Sequence, residues 1–485
     1  MRVIIVENGK EREVEAAPGE VLSDTLTGCG IHIDMPCAGA GICGACRVSV
    51  NGRMCLACQT KAESGDRIEA VIDSEMSIAA AEGYGGVPVN PLYSRYGLAF
   101  DIGTTTLCAA LFDKSGECTV ATRKNPQTSF GADVMTRIGK AMSGDAEVLA
   151  DCVRESLADM TFELCHERGI TPDLIDAAVV TGNTVMLCLL TRHDTTPLSR
   201  APFIADRLFG EYISAQEIGL PIADGAMVYL ARCISAFVGG DITTALTACG
   251  MCESIDSALL ADIGTNGEIA LWHEGKLICC STAAGPAFEG GGIRHGVYGI
   301  PGAIDHVWLE SGQVACSTIG GDEAVGICGS GIIDALAVML KREDIDETGA
   351  LESESGCVEL KGGIAVTAGD VRQIQLAKAA VRAGIETLIE SSGIGKSQVK
   401  ALYIAGGFGS FVNIKNAAAI GLIPCEFEGS ARAVGNAAHS GAGMLLCDKS
   451  LIKRSEALAS DACTLQLDSN PAFTENYVRY MMFED

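Results

Sequence analysis

The most specific chemistry in this sequence is carried by four cysteines in one short stretch: Cys37, Cys43 and Cys46, closed by Cys58. Their spacing is C-x5-C-x2-C-x11-C, and glycine and alanine fill most of the space between the first three. Sulfurs that converge on a compact inorganic cluster need a wrapping loop of small residues with permissive φ. Four cysteines that include a tight C-x2-C pair hold iron–sulfur clusters. The same pair builds zinc knuckles. The first gap and the glycine filling suit a loop around a [2Fe-2S] unit better than a zinc ribbon. Cys55 and Cys29 lie near enough to keep the fourth ligand open.

A second set of residues points to phosphate. Leu98-Ala-Phe-Asp101-Ile-Gly103-Thr104-Thr105-Thr106 recurs as Leu260-Ala-Asp262-Ile-Gly264-Thr265-Asn266-Gly-Glu268. An aspartate at a strand end can hold a magnesium-bound water or orient an attacking one. The glycine lets the backbone turn close to a phosphate, and threonine hydroxyls and backbone N–H groups donate to its oxygens. Two such turns facing each other would clamp a polyphosphate between two like-folded halves. The third piece is Ile404-Ala-Gly406-Gly407-Phe-Gly409, whose bare backbone at a strand end lets a base or ribose lie close. Asp241, at the end of Ser235-Ala-Phe-Val-Gly-Gly-Asp241, either orients water or Mg2+ or caps a helix. Gly435–Gly443 reads as a small-residue helix suited only to close packing.

Two further matches are decoys. Gly39-Ala-Gly41-Ile-Cys-Gly44 has the G-x-G-x-x-G spacing, but its glycines are interleaved with cluster ligands rather than opening a helix after a strand. Gly395-Lys396-Ser397 lacks the glycine a Walker loop needs, since position 390 is glutamate.

The elements that must position these residues fall into three stretches. Residues 1–80 read as a small β-rich domain, with strands at 2–6, 12–16, 47–52 and 68–72 and a short helical run ending at Thr25–Cys29. Residues 81–96 are a linker rich in glycine and proline. From residue 97 the pattern is α/β, divided into a first half at 97–225 and a second at 226–485, with apolar runs ending in glycine turns. The spacing predicts a helix over 145–168 with Val148, Leu149, Cys152, Val153, Leu157, Met160 and Leu164 on one face. A second helix over 370–392 buries Ile374, Ala377, Val381, Ile385, Leu388 and Ile389.

Composition sets bounds on partners. The 485 residues are enough for about two to four domains. A net charge of −27 argues against nucleic acid. Mean hydropathy is +0.27, yet no stretch offers the ~18–20 clean apolar residues of a membrane span. The first residues show no signal-peptide pattern, so a cytoplasmic protein is expected. The 22 cysteines, among them Cys188, Cys233, Cys316 and Cys447 in apolar runs, fit buried thiols in a cytosol with little oxygen.

The order of elements in residues 1–80 resembles the β-grasp [2Fe-2S] ferredoxin family. The x11 gap and the Leu56-Ala57-Cys58 ending look like the ferredoxin domains of succinate dehydrogenase-type subunits, which favours Cys58 over Cys55. The three glycine-rich turns resemble the phosphate-1, phosphate-2 and adenosine motifs of the acetate and sugar kinase/Hsp70/actin superfamily. That resemblance implies roles for Asp101, Gly103 and Thr104–Thr106 in phosphate-1. It implies the same for Asp262, Gly264, Thr265, Asn266 and Glu268 in phosphate-2, and for Gly406, Gly407 and Gly409 at adenosine.

A ferredoxin domain ahead of an ATP clamp resembles the reductive activators of corrinoid enzymes. Supporting segments are Gly182–Met186, Ser235–Asp241, Ser281–Gly290, Cys328–Asp334 and Gln375–Lys378. The resemblance implies ATP with Mg2+ driving one-electron reduction of Co(II) to Co(I) in a corrinoid protein of a methyltransferase system, fed by a low-potential donor. A homodimer stays open. Gly290–Gly296, with His295, is the segment expected to face the partner. The alternatives are an ATP-dependent activator of a 2-hydroxyacyl-CoA dehydratase, a small-molecule kinase with a fused ferredoxin domain, and a redox sensor with a regulatory ATP site.

Overall fold

The computed structural model describes residues 2–7, 10–29, 31, 46–70, 88–353, 356–407 and 411–483. Cys37, Cys43, Gly409 and residues 81–87 of the expected linker lie outside the described residues.

The N-terminal domain is a mixed sheet in the spatial order Lys10–Glu15, Arg2–Glu7, Arg67–Ala70, Arg47–Val50, Arg53–Leu56. Alternation in the first strand turns Val3 and Ile5 to one face, where both are fully buried. Helix Leu22–Gly28 lays Leu22 and Leu26, one turn apart, into the same core as Val48 and Ile68. The first strand pairs in parallel with the last and antiparallel with the second. This is the β-grasp arrangement expected for a ferredoxin domain.

The two halves that follow repeat one plan. In the first, Tyr96–Ile102, Thr106–Asp113 and Cys118–Lys124 form an antiparallel meander. Ile175–Gly182 lies parallel beside the first of these, and Met227–Leu230 lies parallel beside that strand. In the second half the meander is Ser257–Ile263, Gly267–His273 and Lys276–Thr282, flanked in parallel by Val399–Ala405 and then Ala431–Gly435. The leading strands Tyr96–Ile102 and Ser257–Ile263 are covered on both faces, so they read as nearly unbroken apolar runs. Met227–Leu230 belongs to the first sheet although it lies past residue 225.

Helix Ala146–Arg168 ends at Gly169 with φ 65°. Its buried stripe includes Leu149, Cys152, Val153, Leu157, Met160 and Leu164, but Val148 is 48% exposed. Val148 is one residue from Leu149, hence about 100° around the helix and off the stripe. Helix Ala368–Ser392 opens on a capping box between Thr367 and Asp370. It buries Lys378 and Arg382 as well as its apolar face. Lys378 Nζ donates to the Tyr480 carbonyl at 2.8 Å, and Gln375 Nε2 donates to the Thr348 and Met481 carbonyls at 2.8 and 3.0 Å. The Gln375–Lys378 segment therefore fastens residues 480–482 and satisfies its own buried polar groups.

Helices Gly240–Cys249 and Ala437–Cys447 pack where the halves meet. A Cβ on Gly441 would lie 1.9 Å from the Thr244 carbonyl oxygen, so only glycine permits this approach. Residues Val89, Asn90 and Leu92, expected in the linker, donate backbone bonds to Cys447 and Leu446 at 2.9–3.2 Å. Among the described residues no helix is long and apolar enough to cross a membrane.

Candidate functional site

The two Asp-Ile-Gly-Thr turns open into one cleft. Each sits between the first two strands of its meander, so the repeated plan carries both aspartates to matching strand ends. The cleft is lined by Asp101, Gly103, Thr104, Thr105 and Thr106 from the first half, and by Asp262, Gly264, Thr265, Asn266 and Glu268 from the second. Asp241, Gly406 and Gly407 line it too. The Thr105 and Thr265 hydroxyls, one from each turn, are 3.3 Å apart. Gly406 has φ 118°, and a Cβ there would lie 2.3 Å from the Ile263 carbonyl oxygen, so this crossing of strand ends requires glycine. Nothing within 4 Å would meet a Cβ on Gly407, which leaves open space beside the strand end.

Five carboxylates crowd this cleft: Asp101, Asp241, Asp262, Glu268 and Glu289. Among the described residues, no lysine or arginine lines it. Burial raises Asp101 to about 6, opposed by the hydrogen bond from Asn436 Nδ2 at 2.9 Å. Burial and then the neighbouring Asp101 raise Asp241 to about 7. Burial, Asp241 and Asp101 together raise Asp262 to about 8. Glu268 is also raised, by burial and by Asp241 and Asp262, although Asn183 Nδ2 donates to it at 3.2 Å. Such repulsion is relieved by a divalent cation. Among the described residues no three of these side chains are close enough to wrap a bare ion. That arrangement suits Mg2+, which keeps several waters and takes its other ligands from one or two carboxylates and a nucleotide's phosphates.

Asp241 is not the helix cap. The cap position of Gly240–Cys249 is Gly239, and the Asp241 carboxylate accepts from the Ile242 N–H at 2.8 Å. Beside the cleft lies a second cavity of about 250 Å³, which shares Thr106, Glu289, Gly407 and Phe411 with it. Gly329 and Ser330, from the Cys328–Asp334 segment, line its far side.

Several site residues escaped the sequence reading. Asn436 starts the helix judged to serve packing alone, yet it reaches Asp101 across the halves. Asn183 does the same in the opposite direction to Glu268. The available signal was a Gly-Asn pair closing an apolar strand, at Gly182-Asn183 and Gly435-Asn436. Arg137 is fully buried and donates to the Thr104 carbonyl, and at 2.9 Å to that of Gly131. No spacing marks it, because it comes from a separate helix.

In the N-terminal domain the Cys46 and Cys58 sulfurs are both buried and 3.2 Å apart. That is too long for a disulfide of about 2.05 Å. It approaches the roughly 3.7 Å between two thiolates each ~2.3 Å from one tetrahedral metal. Cys55 lies in strand Arg53–Leu56, opposite Val48. The paired sulfurs thus fit a metal held by both. Along the Gly290–Gly296 segment, His295 is half-buried and its carbonyl accepts from the Ile327 N–H at 2.8 Å.

Residues 5–70 match the model of a 2Fe-2S iron–sulfur cluster binding domain. Residues 96–254 match the RACo middle region, and residues 256–485 match the C-terminal ASKHA domain of RACo. The chain is 29% identical to the corrinoid activation enzyme RamQ of Eubacterium limosum, over 98% of this chain and 98% of that one. It is 29% identical to a Co(II) methylated amine-specific corrinoid protein reductase of Methanosarcina barkeri, over 68% of this chain and 66% of the other. The solved structure of a reductive activator for a corrinoid, iron–sulfur protein superposes with a TM-score of 0.75 at 28% identity, covering 99% of this chain and 98% of that one. With two successive RACo regions behind a 2Fe-2S domain, the chain belongs to the RACo family of corrinoid reductive activators.

Proposed function

We propose that this protein couples ATP hydrolysis to the one-electron reduction of a corrinoid protein from inactive Co(II) to Co(I). The observation that carries the reading is the meeting of two phosphate-type turns, with hydroxyls 3.3 Å apart, in a chain that begins with a 2Fe-2S domain. Bound at Cys37, Cys43, Cys46 and Cys58, a [2Fe-2S] cluster supplies one electron at a time, and Mg2+-ATP in the cleft supplies the free energy of hydrolysis. Plant-type centres lie near about −400 mV. Raising one electron by a further ~200 mV costs roughly 5 kcal/mol, a reason to couple the transfer to ATP.

The chain's own residues divide the work. Asp101 and Asp262 hold metal-bound waters at the two strand ends, and Asp241 orients the attacking water. Gly103 and Gly264 let the backbone approach. Thr104, Thr105, Thr106, Thr265 and Asn266 donate to phosphate oxygens, and Glu268 holds a further water. Gly406, Gly407 and Gly409 admit the nucleoside, with the adjoining 250 Å³ cavity to receive its base. Closure of the halves on ATP favours the form that docks the Co(II) protein, and hydrolysis releases it. Gly290–Gly296 faces that partner. The layout is a ferredoxin-like domain at 1–80, a linker at 81–96, a first half from 97 that runs past 225 to take in Met227–Leu230, and a second half after it to 485. The partner serves a methyltransferase system, the electrons come from a low-potential donor, and the protein works in the cytoplasm, with a homodimer compatible with this scheme.

Anaerobic mixing with a Co(II) corrinoid protein, Ti(III) and ATP should give the Co(I) spectrum, and ADP should not. Equal reduction without nucleotide would overturn the reading. Cys58→Ser should lose the visible absorbance of the cluster and keep ATP binding, whereas Cys55→Ser should keep both. The reverse pattern would move the fourth ligand to Cys55.

A further inference from the structure

Glu289 sits between the two turns. Its Oε2 accepts from the Thr105 hydroxyl at 2.6 Å and from the Thr265 hydroxyl at 2.5 Å. These hydroxyls come from different halves, and each has a single proton to donate. Both are spent on one carboxylate oxygen. A phosphate oxygen that needs them must therefore evict the carboxylate, because two anions cannot share the same pair of donors.

The segment that carries Glu289 is tied to the first half a second time. Tyr298 holds the Lys124 ammonium 5.2 Å from its ring centroid. Lys124 pairs directly with Thr106 in the sheet, so both side chains leave the same face. Burial draws the Lys124 ammonium down to about 8, so it gains from any anion placed beside it. Gly285 and Gly290, with φ of 77° and 82°, flank the tight turn Pro286–Glu289, and Gly292 beyond it has φ 77°. Phe288 is buried in the main core and the backbone of His295 and Val297 pairs with Ile327, so the segment stays anchored and a phosphate would claim only the Glu289 side chain.

We propose that Glu289 is an internal competitor for a phosphate group of the nucleotide, occupying Thr105 and Thr265 in the empty protein and leaving them when that phosphate binds. The inference rests on the ATP reading of the cleft. Glu289 adjoins Gly290–Gly296, so phosphate occupancy reaches the partner-facing stretch through one side chain.

The test compares binding of a non-hydrolysable ATP analogue and of adenosine to the cluster-loaded protein. Glu289→Ala should tighten the analogue about tenfold, the worth of roughly one charge-assisted hydrogen bond, and leave adenosine within about twofold. Glu289→Gln, which keeps an acceptor, should fall between. Glu268→Gln removes the same charge from the same cleft without touching either hydroxyl. If it tightens the analogue as much as Glu289→Ala, the effect is bulk charge and the inference is overturned. Hydrogen exchange supplies an independent readout. The analogue should raise exchange of the Gly290 and Gly291 amides of the Glu289 turn in the wild type, adenosine should not, and Glu289→Ala should show the raised level while empty. Unchanged exchange with the analogue overturns the inference. If the wild type binds no ATP while its cluster is intact, the reading beneath fails instead.

Discussion

The two Asp-Ile-Gly-Thr turns share a sequence and a place in the fold, but their surroundings make them unequal. Asp101 receives a hydrogen bond from Asn436 of the other half and is held to about 6. Asp262 faces two other aspartates and rises to about 8. Behind the first turn, buried Arg137 grips the Thr104 carbonyl. The second turn carries Glu268, held by Asn183 from the first half. Each turn is thus steadied by an asparagine belonging to the opposite half. Duplication supplied two similar turns, and the cross-half asparagines made them into one site that neither half completes alone.

The inequality can be tested from its largest consequence down. Asp262→Ala should lower ATP hydrolysis by about 10²–10³-fold, the scale of losing a positioned electrostatic group, while the cluster's visible spectrum persists. Asp101→Ala should cost less, because Arg137 still holds the Thr104 carbonyl of its turn; equal losses would break the comparison. Next in size is Arg137→Ala, which strands the Thr104 and Gly131 carbonyls in the interior. It should destabilise the protein by about 3 kcal/mol, measured by denaturant unfolding. Asn436→Ala removes the bonds to Asp101 and Cys108 and the cap of Ala437–Cys447, and Asn183→Ala removes the bond to Glu268 and the cap of Thr184–Leu190. Each should cost about 1–2 kcal/mol of stability, and their double mutant should be nearly additive if the two asparagines act independently.

The smallest effect is a pH dependence. Asp101, Asp241 and Asp262 have pKa values raised in the folded protein, to about 6, 7 and 8. The folded state then prefers their protonated forms. Their contribution to stability is present below the ordinary carboxylate range and is lost as pH rises through those values. The metal-free melting temperature should fall between pH 5 and 8.5, and Mg2+ with nucleotide should restore it. Asp262→Asn should flatten the upper part of that fall more than Asp101→Asn, which sharpens the difference between the turns. A profile flat from pH 5 to 8.5 would remove the electrostatic account of the cleft.

Much of this site was legible because its residues are contiguous. Strand, aspartate, glycine and threonine follow one another, since a turn that approaches phosphate is built from neighbouring backbone groups. The helices over 146–168 and 368–392 were legible from periodicity and from the glycines that stop them. Val148 was misplaced because its position is only one residue off the stripe, and the mean pattern tolerates that error. Gly435–Gly443 was read as packing alone. Gly441 does pack against Thr244, but Asn436 at the head of the same helix serves the cleft.

The amino-acid sequence by itself determined the local devices: the ferredoxin-type cysteine loop, the two phosphate-type turns, the glycines at the strand end, and the order of the domains. These depend on residue type and short spacing, which the chain specifies directly. Only the tertiary structure decided which residues meet across long separations. It brought Asn436 to Asp101, Asn183 to Glu268, and Glu289 to both threonines. Such meetings depend on how sheets and helices pack, and no local pattern encodes a distance between residues hundreds of positions apart. The charge state of the cleft follows the same rule. An aspartate in a sequence is an ordinary acid; five carboxylates enclosed together, with no lysine or arginine lining the cleft among the described residues, repel one another and hold their protons to higher pH.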